Sequence, residues 1–466
     1  MKHPFIIRLC LLLSSTLVAT NLYATGTDTS QRSVSQTAEP QTSATSYNAL
    51  LKAYHEVYGF SGTVKVVNNS GTDFEKSYGL ANRSFLVPNT PETRNSINSI
   101  SKTFTAVAVL MLTQEGKINL QSPVADYLPS LTAAWKDEVT VHHLLSHTAG
   151  LPRESGVQPH EALTFEQQIA AYINGLPLLF TPGERYEYSN AGVTLLGAII
   201  EKVANDTYAN VITSRIISPL GLNNTGVYQS RNVVSDQAVP YRFTRNGTET
   251  AQRSKHWGDN AGGALYSTPS DLHTFVSALK ANVLLNEAST ALLFTRHIAT
   301  SETDYEGYAW SIKQAGDDTL YFAAGSGYGT KSVMIQSADT DRFIAITSNW
   351  GNTPILKLLG DLYMLSTGQT VSVPDSKALA QPQQYRAQLG EYQFDQEDAR
   401  IHLGMDDPII ALQAFEGKLF LNDELLAQKG EAVLGLTYTD EMQVKFSDGI
   451  MRITLNGNVL EGKKVR

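Results

Sequence analysis

The sequence predicts a mixed α/β or α+β layer domain followed by a small all-β domain. Strand-like runs stand at both ends of the first unit: Phe60–Val67 and Phe74–Leu80 early, then Thr319–Ala324, Ser332–Ile335 and Phe343–Ser348 late. Between them, from Ile100 to about Leu285, the apolar residues recur with helical spacing. Strands from opposite ends of a unit that pair in one sheet, with helices inserted, make such a layer. Beyond residue 385 short strands and tight turns take over. With 466 residues the chain is too long for one compact core, so two folded units plus tails are expected.

Residues 1–24 read as a secretory signal. Lys2, His3 and Arg8 make a basic start, Leu9–Ala19 is apolar but short for a bilayer, and Ala24 is a small residue suited to cleavage. Residues 25–45, rich in Thr, Ser, Gln and Ala, read as a disordered spacer. The first folded unit spans 46–365, with order beginning near Tyr47 and a turn at Asn68-Asn-Ser-Gly71. Residues 366–384, with Pro374 and Pro382, read as a linker. The unit 385–466 carries strand patterns at Leu389–Phe394, Ile409–Phe415, Lys418–Asn422, Met442–Phe446 and Met451–Leu455. Asp448-Gly449 and Asn456-Gly457 are hairpin turn signals. This unit is expected to fold separately.

A net charge of -9 leaves no electrostatic footprint for nucleic acid or for an anionic membrane surface. Cys10 is the sole cysteine and lies in the signal, so disulfides, thiol nucleophiles and cysteine metal sites are excluded from the mature chain. His142, His143 and His147 lack metal-ligand spacing; no metal and no cofactor is predicted. The protein is expected in the periplasm or secreted, without stable membrane insertion after signal cleavage. Its expected partner is a small-molecule or peptide substrate, and no oligomeric state is read from the sequence.

Ser99-Ile-Ser-Lys102 opens a run in which Phe104, Val107, Ala108, Met111 and Leu112 form one helix face, while Ala106, Val109 and Leu110 make the other faces apolar too. Gly116 is a natural stop. Ser99 is thus placed in the first turn of a buried helix, with Lys102 on the same face. A serine hydroxyl becomes a nucleophile when a base takes its proton, and a buried lysine can serve. By itself the tetrapeptide equally fits a helix start with a snorkelling lysine.

Asn98-Ser-Ile-Ser-Lys-Thr-Phe-Thr-Ala106 resembles the active-site helix of class C β-lactamases, their esterase relatives and low-molecular-weight penicillin-binding proteins. Gly79-Leu-Ala-Asn82, Gly116–Leu120 with Asp126–Pro129, and His143-Leu-Leu-Ser-His-Thr-Ala-Gly-Leu151 resemble further segments of that family in the same order. The resemblance covers roughly residues 45–365. It implies an antiparallel sheet flanked by helices with an all-helical insert, and Ser99 as the acylated nucleophile with Lys102 handling its proton. Tyr188-Ser-Asn190 is similar to the family's Tyr-x-Asn loop. That implies Tyr188 as a proton shuttle and Asn190 on the substrate or on Lys102; on residue type alone, a buried tyrosine and a helix cap fit as well.

The family usually carries Lys-Thr-Gly or His-x-Gly on a strand beside the nucleophile. Here the aligned stretch is Ala323-Ala-Gly-Ser-Gly-Tyr-Gly329: the glycine is Gly325 and the cationic position is Ala323. This variant resembles the branch with 6-aminohexanoate-dimer hydrolases and carboxylesterases. The N–H of Ser326, with that of Ser99, is the implied oxyanion hole, and Lys331 is near enough in sequence to replace the missing cation. His147 is expected to hold a loop, Thr268 to cap a helix with Pro269 first, and Trp257 and Asp259 to stand near the cleft. The resulting expectation is an exported serine hydrolase acting on esters or amides. A β-lactamase or D,D-carboxypeptidase is one alternative, and a non-catalytic binder of cell-wall peptides or of a partner is another.

Overall fold

The computed structural model describes residues 44–465 except 70, 159–160, 230–231, 245, 251–259, 404, 406, 436–441 and 456. The signal, nearly all of the spacer, Trp257, Asp259 and the turn residue Asn456 lie outside the described residues.

The main sheet has eight antiparallel strands. In spatial order they are Ile298–Ala299, Tyr305–Glu306, Ser311–Ala315, Asp318–Gly327, Thr330–Ser337, Phe343–Ser348, Gly62–Val67 and Asp73–Tyr78. Gly62 stands opposite Ser348 and Val67 opposite Phe343, so the two ends of the unit are joined through one ladder.

Alternation along these strands builds two cores. Phe322, Val333, Ile335, Ile344 and Ile346 face one side, where the helices Ala44–Tyr58 and Ile355–Ser366 cover them. Ala323, Met334, Phe343 and Ala345 face the other, under the helices Ser101–Gln114 and Pro269–Lys280. Phe104 and Phe275 join those two helices by stacking at 3.9 Å. The sequence reading assigns no helix at Ala44–Tyr58. Tyr47, Leu50, Leu51, Tyr54, Val57 and Tyr58 are nevertheless buried at helical spacing, and packing on the sheet holds the segment.

The insert is helical, with Asn190–Ala204 and Ser101–Gln114 as its longest described elements. Small sheets supplement it: Asn95–Ser96, Leu265–Ser267 and Gly226–Val227 form one, and the hairpin Tyr241–Thr244 with Gly247–Thr250 another. Thr268 caps the helix Pro269–Lys280 by accepting from the Asp271 N–H, as its sequence predicts.

The C-terminal unit is a closed barrel of eight strands, ending where Asn458–Lys464 pairs with Gly390–Gln393. It shares a core with the first unit. Phe420 and Leu425 are buried in the same cluster as Phe322 and Ile335, and Phe243 stacks on Phe415 at 4.3 Å and 16°. The Asn352 amide donates to the Asp423 carbonyl at 2.7 Å, and Arg242 pairs with the Asp423 carboxylate. The segment expected as a loose linker is pinned too: Leu379 is buried and the Ala380 N–H donates to the Leu426 carbonyl. Short strands such as Glu424–Lys429 and Ala432–Gly435 give weak periodic signals, which is why the sequence reading lacks them.

Candidate active site

Ser99 lies in the 3₁₀ turn Asn98–Ile100 that leads into the helix Ser101–Gln114, just before the α-helix itself. Asn98 adopts a left-handed φ of 47°, a conformation asparagine tolerates better than most residues. Its amide donates to Thr330 Oγ1 at 3.0 Å, tying the turn to the sheet. The helix below is buried along almost its whole length, so the turn rests on a rigid support.

Lys102 is buried, and its Nζ donates to Ser99 Oγ at 3.2 Å and to the Gly262 carbonyl at 2.8 Å. That carbonyl is held in place because the helix grips the loop around it. Thr105 Oγ1 donates to the Ala261 carbonyl at 2.7 Å, and the Leu265 N–H donates to Ser101 Oγ at 3.0 Å. A buried ammonium requires such partners.

The Tyr188 hydroxyl donates to Ser99 Oγ at 2.7 Å. Two cations flank its ring, Lys102 Nζ at 4.8 Å and the Arg153 guanidinium at 4.6 Å from the centroid. Cations over an aromatic face are attracted by its quadrupole, and they favour negative charge developing on the phenol oxygen. His147, with a left-handed φ of 55°, packs its ring 4.7 Å from that of Tyr188. Its Nδ1 accepts from the Ser189 N–H, and its carbonyl accepts from the Glu187 N–H at 2.8 Å. Burial, reinforced by Lys102 and Arg153, pulls the His147 pKa down to about 3. The ring is therefore a neutral buttress for the tyrosine loop, in keeping with its expected loop-holding role.

Ser189 is the N-cap of the helix Asn190–Ala204, accepting from the Gly192 N–H. Asn190 follows it, and its amide donates to Glu154 at 2.7 Å.

The strand Asp318–Gly327 forms the opposite wall. Its neighbour Ser311–Ala315 pairs only as far as Phe322, so residues 323–327 have a strand partner on one side alone. Gly325 sits where the turn Asn98–Ile100 touches the strand. A β-carbon there would lie 2.1 Å from the Ile97 carbonyl oxygen and 2.9 Å from the Ser99 nitrogen. Only glycine permits this approach. Ser326, next along, stands opposite Lys331 in the ladder. Ala323 faces the nucleophile side and brings no charge.

Ser99, Lys102, Tyr188, Ala323, Gly325 and Ser326 line one cleft of about 140 Å³. Lys331 also lines it, but on the other face of the strand. Burial holds its ammonium below the ordinary lysine range, opposed by the charges of Glu424 and Asp423 from the barrel. Arg153, Asn98 and the Gly262 carbonyl belong to the site and were not singled out from sequence. A backbone acceptor leaves no residue-type signal, and Arg153 follows the His143–Leu151 segment without a motif of its own. Among the described residues no group of three or more His, Cys, Asp or Glu is placed to hold a metal ion.

A serine hydroxyl is thus held by a lysine and a tyrosine, at the start of a buried helix beside a strand edge, and the chain belongs to the Beta-lactamase family, whose model matches residues 48–366. Penicillin-binding protein 4* of Bacillus subtilis is 27% identical over 320 residues, spanning 64% of this chain and 70% of that protein. The penicillin-binding protein structure from Bacillus halodurans superposes with a TM-score of 0.61 at 26% identity, covering 68% of this chain and 98% of that one. The octameric penicillin-binding protein homologue from Pyrococcus abyssi has a TM-score of 0.63 at 20% identity. It covers 90% of this chain and 99% of that one, so the shared fold extends into the barrel.

Proposed function

We propose that the protein is an exported serine hydrolase that cleaves esters or amides through an acyl-enzyme on Ser99. The observation that carries the reading is the convergence of Tyr188 and Lys102 on one oxygen, Ser99 Oγ. In the proposed cycle the reactive form carries Tyr188 as a phenolate beside the Lys102 and Arg153 cations, and Ser99 Oγ attacks the substrate carbonyl carbon as its proton passes to the Tyr188 oxygen. The oxyanion is held by the N–H groups of Ser99 and Ser326, and the proton is returned to the leaving group as the scissile bond breaks. Water then repeats the sequence on the acyl-enzyme and releases Ser99. Export rests on the basic and apolar pattern of residues 1–24; among the described residues no helix is long and apolar enough to cross a membrane.

The acyl group is proposed to be uncharged at the position where family members bind a carboxylate. Ala323 offers no cation there, and Lys331 stands among the carboxylates Glu424 and Asp423 on the opposite face. The direct test is labelling with a fluorescent alkyl fluorophosphonate. Wild type is expected to be labelled on Ser99 and Ser99→Ala to be silent; equal labelling of the two would remove Ser99 as the nucleophile.

A further inference from the structure

The cleft passes around the open edge of the strand Asp318–Gly327, and its far side carries an acid that the acylation chemistry does not use. Glu306, Ser311 and Phe322 stand opposite one another across three strands and so share a face of the sheet, the face away from Ala323. Glu306, Phe322 and Leu356 line the same cleft as Ser99. Asp304 and Lys313 line it too and pair with each other, so the far wall sets Phe322 and Leu356 beside two carboxyl groups and one cation and leaves Glu306 the acid in excess.

The charges around that carboxyl group can be accounted for. Glu306 is 5% exposed, and its Oε2 accepts from Ser311 Oγ at 2.9 Å. Lys313, the nearby cation, is held by Asp304 at 2.6 Å. Arg153 stands 3.6 Å from Glu154, and Lys331 feels Glu424 and Asp423. Among the described residues no Lys, Arg or His nitrogen lies within 4.0 Å of the Glu306 carboxylate. Burying a carboxylate without a cation is costly, and a ligand that brings one removes the cost.

We propose that Glu306 selects substrates carrying a protonated primary amine, which enters the cleft along the open strand edge and pairs with this carboxylate while the scissile carbonyl rests on Ser99. The proposal rests on the reading of Ser99 as nucleophile and adds the substrate class. Burial pushes the Glu306 pKa up to about 7, against the Ser311 hydrogen bond and the Lys313 charge. An incoming ammonium would hold the group ionised. The near side of the cleft, with Ala323 in place of a cation, and the far side, with the acids Asp304 and Glu306 against the one cation Lys313, then favour the same substrates: amino esters or amino amides over acids.

The test measures inhibition of p-nitrophenyl butyrate hydrolysis by n-butylammonium and n-hexylammonium, each beside the alcohol of equal length. Wild type is expected to bind at least one ammonium tenfold or more tightly than its alcohol, the range of a charge-assisted hydrogen bond. Glu306→Gln should abolish that preference while keeping fluorophosphonate labelling of Ser99. An alcohol as good as its ammonium in wild type, no inhibition by either ammonium, or a preference that persists in Glu306→Gln would each overturn the proposal. The wild-type comparison decides the matter even if the variant does not fold. Failure of Ser99 labelling in wild type would strike the acylation reading instead, so the two failures are distinct.

Discussion

The Tyr188 phenol donates to Ser99 Oγ at 2.7 Å, a shorter contact than the 3.2 Å from Lys102 Nζ to the same oxygen. In the proposed mechanism the reactive form holds Tyr188 as a phenolate beside the Lys102 and Arg153 cations, which makes the tyrosine the nearer proton acceptor for Ser99. Tyr188→Phe keeps the ring between those cations and removes only the hydroxyl. Its acylation rate should fall by about 10²–10⁴-fold, the usual span for a general base. Its stability should change by roughly 1 kcal/mol or less. Burst kinetics with a p-nitrophenyl ester, alongside thermal melts, separate the two; an unchanged burst rate would exclude the tyrosine from the mechanism.

His147 gives the fold an acid limit. Its pKa is lowered to about 3 when folded, and that of His142 to about 4, chiefly by burial in each case. Both return to about 6.5 on unfolding, so below that pH the unfolded chain binds the extra protons. The contribution is complete above pH 6.5 and is lost as pH falls toward 3, at up to about 1.4 kcal/mol per pH unit for the buried His147 and less for the half-buried His142, which solvent screens. His147→Asn keeps a residue suited to the left-handed backbone and should flatten this acid limb. Urea midpoints at pH 7, 5 and 4 measure it, and a wild type equally stable at all three would contradict the assignment.

The strand edge predicts a change of substrate. On the proposed reading Ala323 takes the place of a carboxylate-binding cation, and a charge-assisted hydrogen bond there would be worth about 1.5–3 kcal/mol. Ala323→His should raise kcat/KM for a chromogenic cephalosporin relative to a short p-nitrophenyl ester by roughly tenfold or more. A wild type that already turns over the cephalosporin at about 10⁶ M⁻¹s⁻¹, where efficient enzymes lie, would refute the idea.

Gly325 supports the nucleophile by its lack of a side chain. In Gly325→Ala the new carbon would meet backbone at Ile97 and Ser99, neither of which can turn away as a side chain could. Overpacking of this kind costs about 1–3 kcal/mol, and here it also displaces the reacting oxygen. Fluorophosphonate labelling should drop at least as much as stability does. Gly360→Ala is the control: it lies in the helix Ile355–Ser366 with nothing within 4 Å of the new carbon, and should be neutral or slightly stabilising.

What could be read from the chain follows from where each signal resides. Ser99, Lys102 and Tyr188 lie in short local patterns at or just before the starts of the helices Ser101–Gln114 and Asn190–Ala204, where periodicity and spacing are visible. The strands Phe343–Ser348 and Thr330–Ser337 are apolar runs buried on both faces, and they were legible for that reason. Ile298–Ala299 and Tyr305–Glu306 are two residues each and have no period to detect. Glu306 became a cleft residue only through cross-strand register with Ser311 and Phe322, a long-range fact. Asn190 shows the limit of a motif: the residue stands where the pattern puts it, yet its amide is engaged by Glu154.

The barrel is where a sequence boundary and a physical boundary part. The turn signals after residue 385 suggest a separable unit, but the hairpin formed by Lys418–Leu421 and Glu424–Lys429 inserts Phe420 and Leu425 into the core beneath the main sheet. Phe243 is stacked on Phe415 and packs tilted against Phe420, and Asp423 engages both Arg242 and Asn352. A chain ended at Gln369 would leave Tyr241, Phe243 and the far end of that core facing water, and would strip Lys331 of the carboxylates Glu424 and Asp423. Such a chain should aggregate or melt far below the full-length protein. Phe420→Ala, a milder cut at the same place, should cost about 3–5 kcal/mol as a buried aromatic truncation. Because Phe420 does not line the cleft, Ser99 labelling at low temperature should survive in Phe420→Ala. Melting curves and size-exclusion profiles of the two variants decide the matter. A chain ended at Gln369 that stays monomeric and melts within a few degrees of full length would show that the shared core is dispensable.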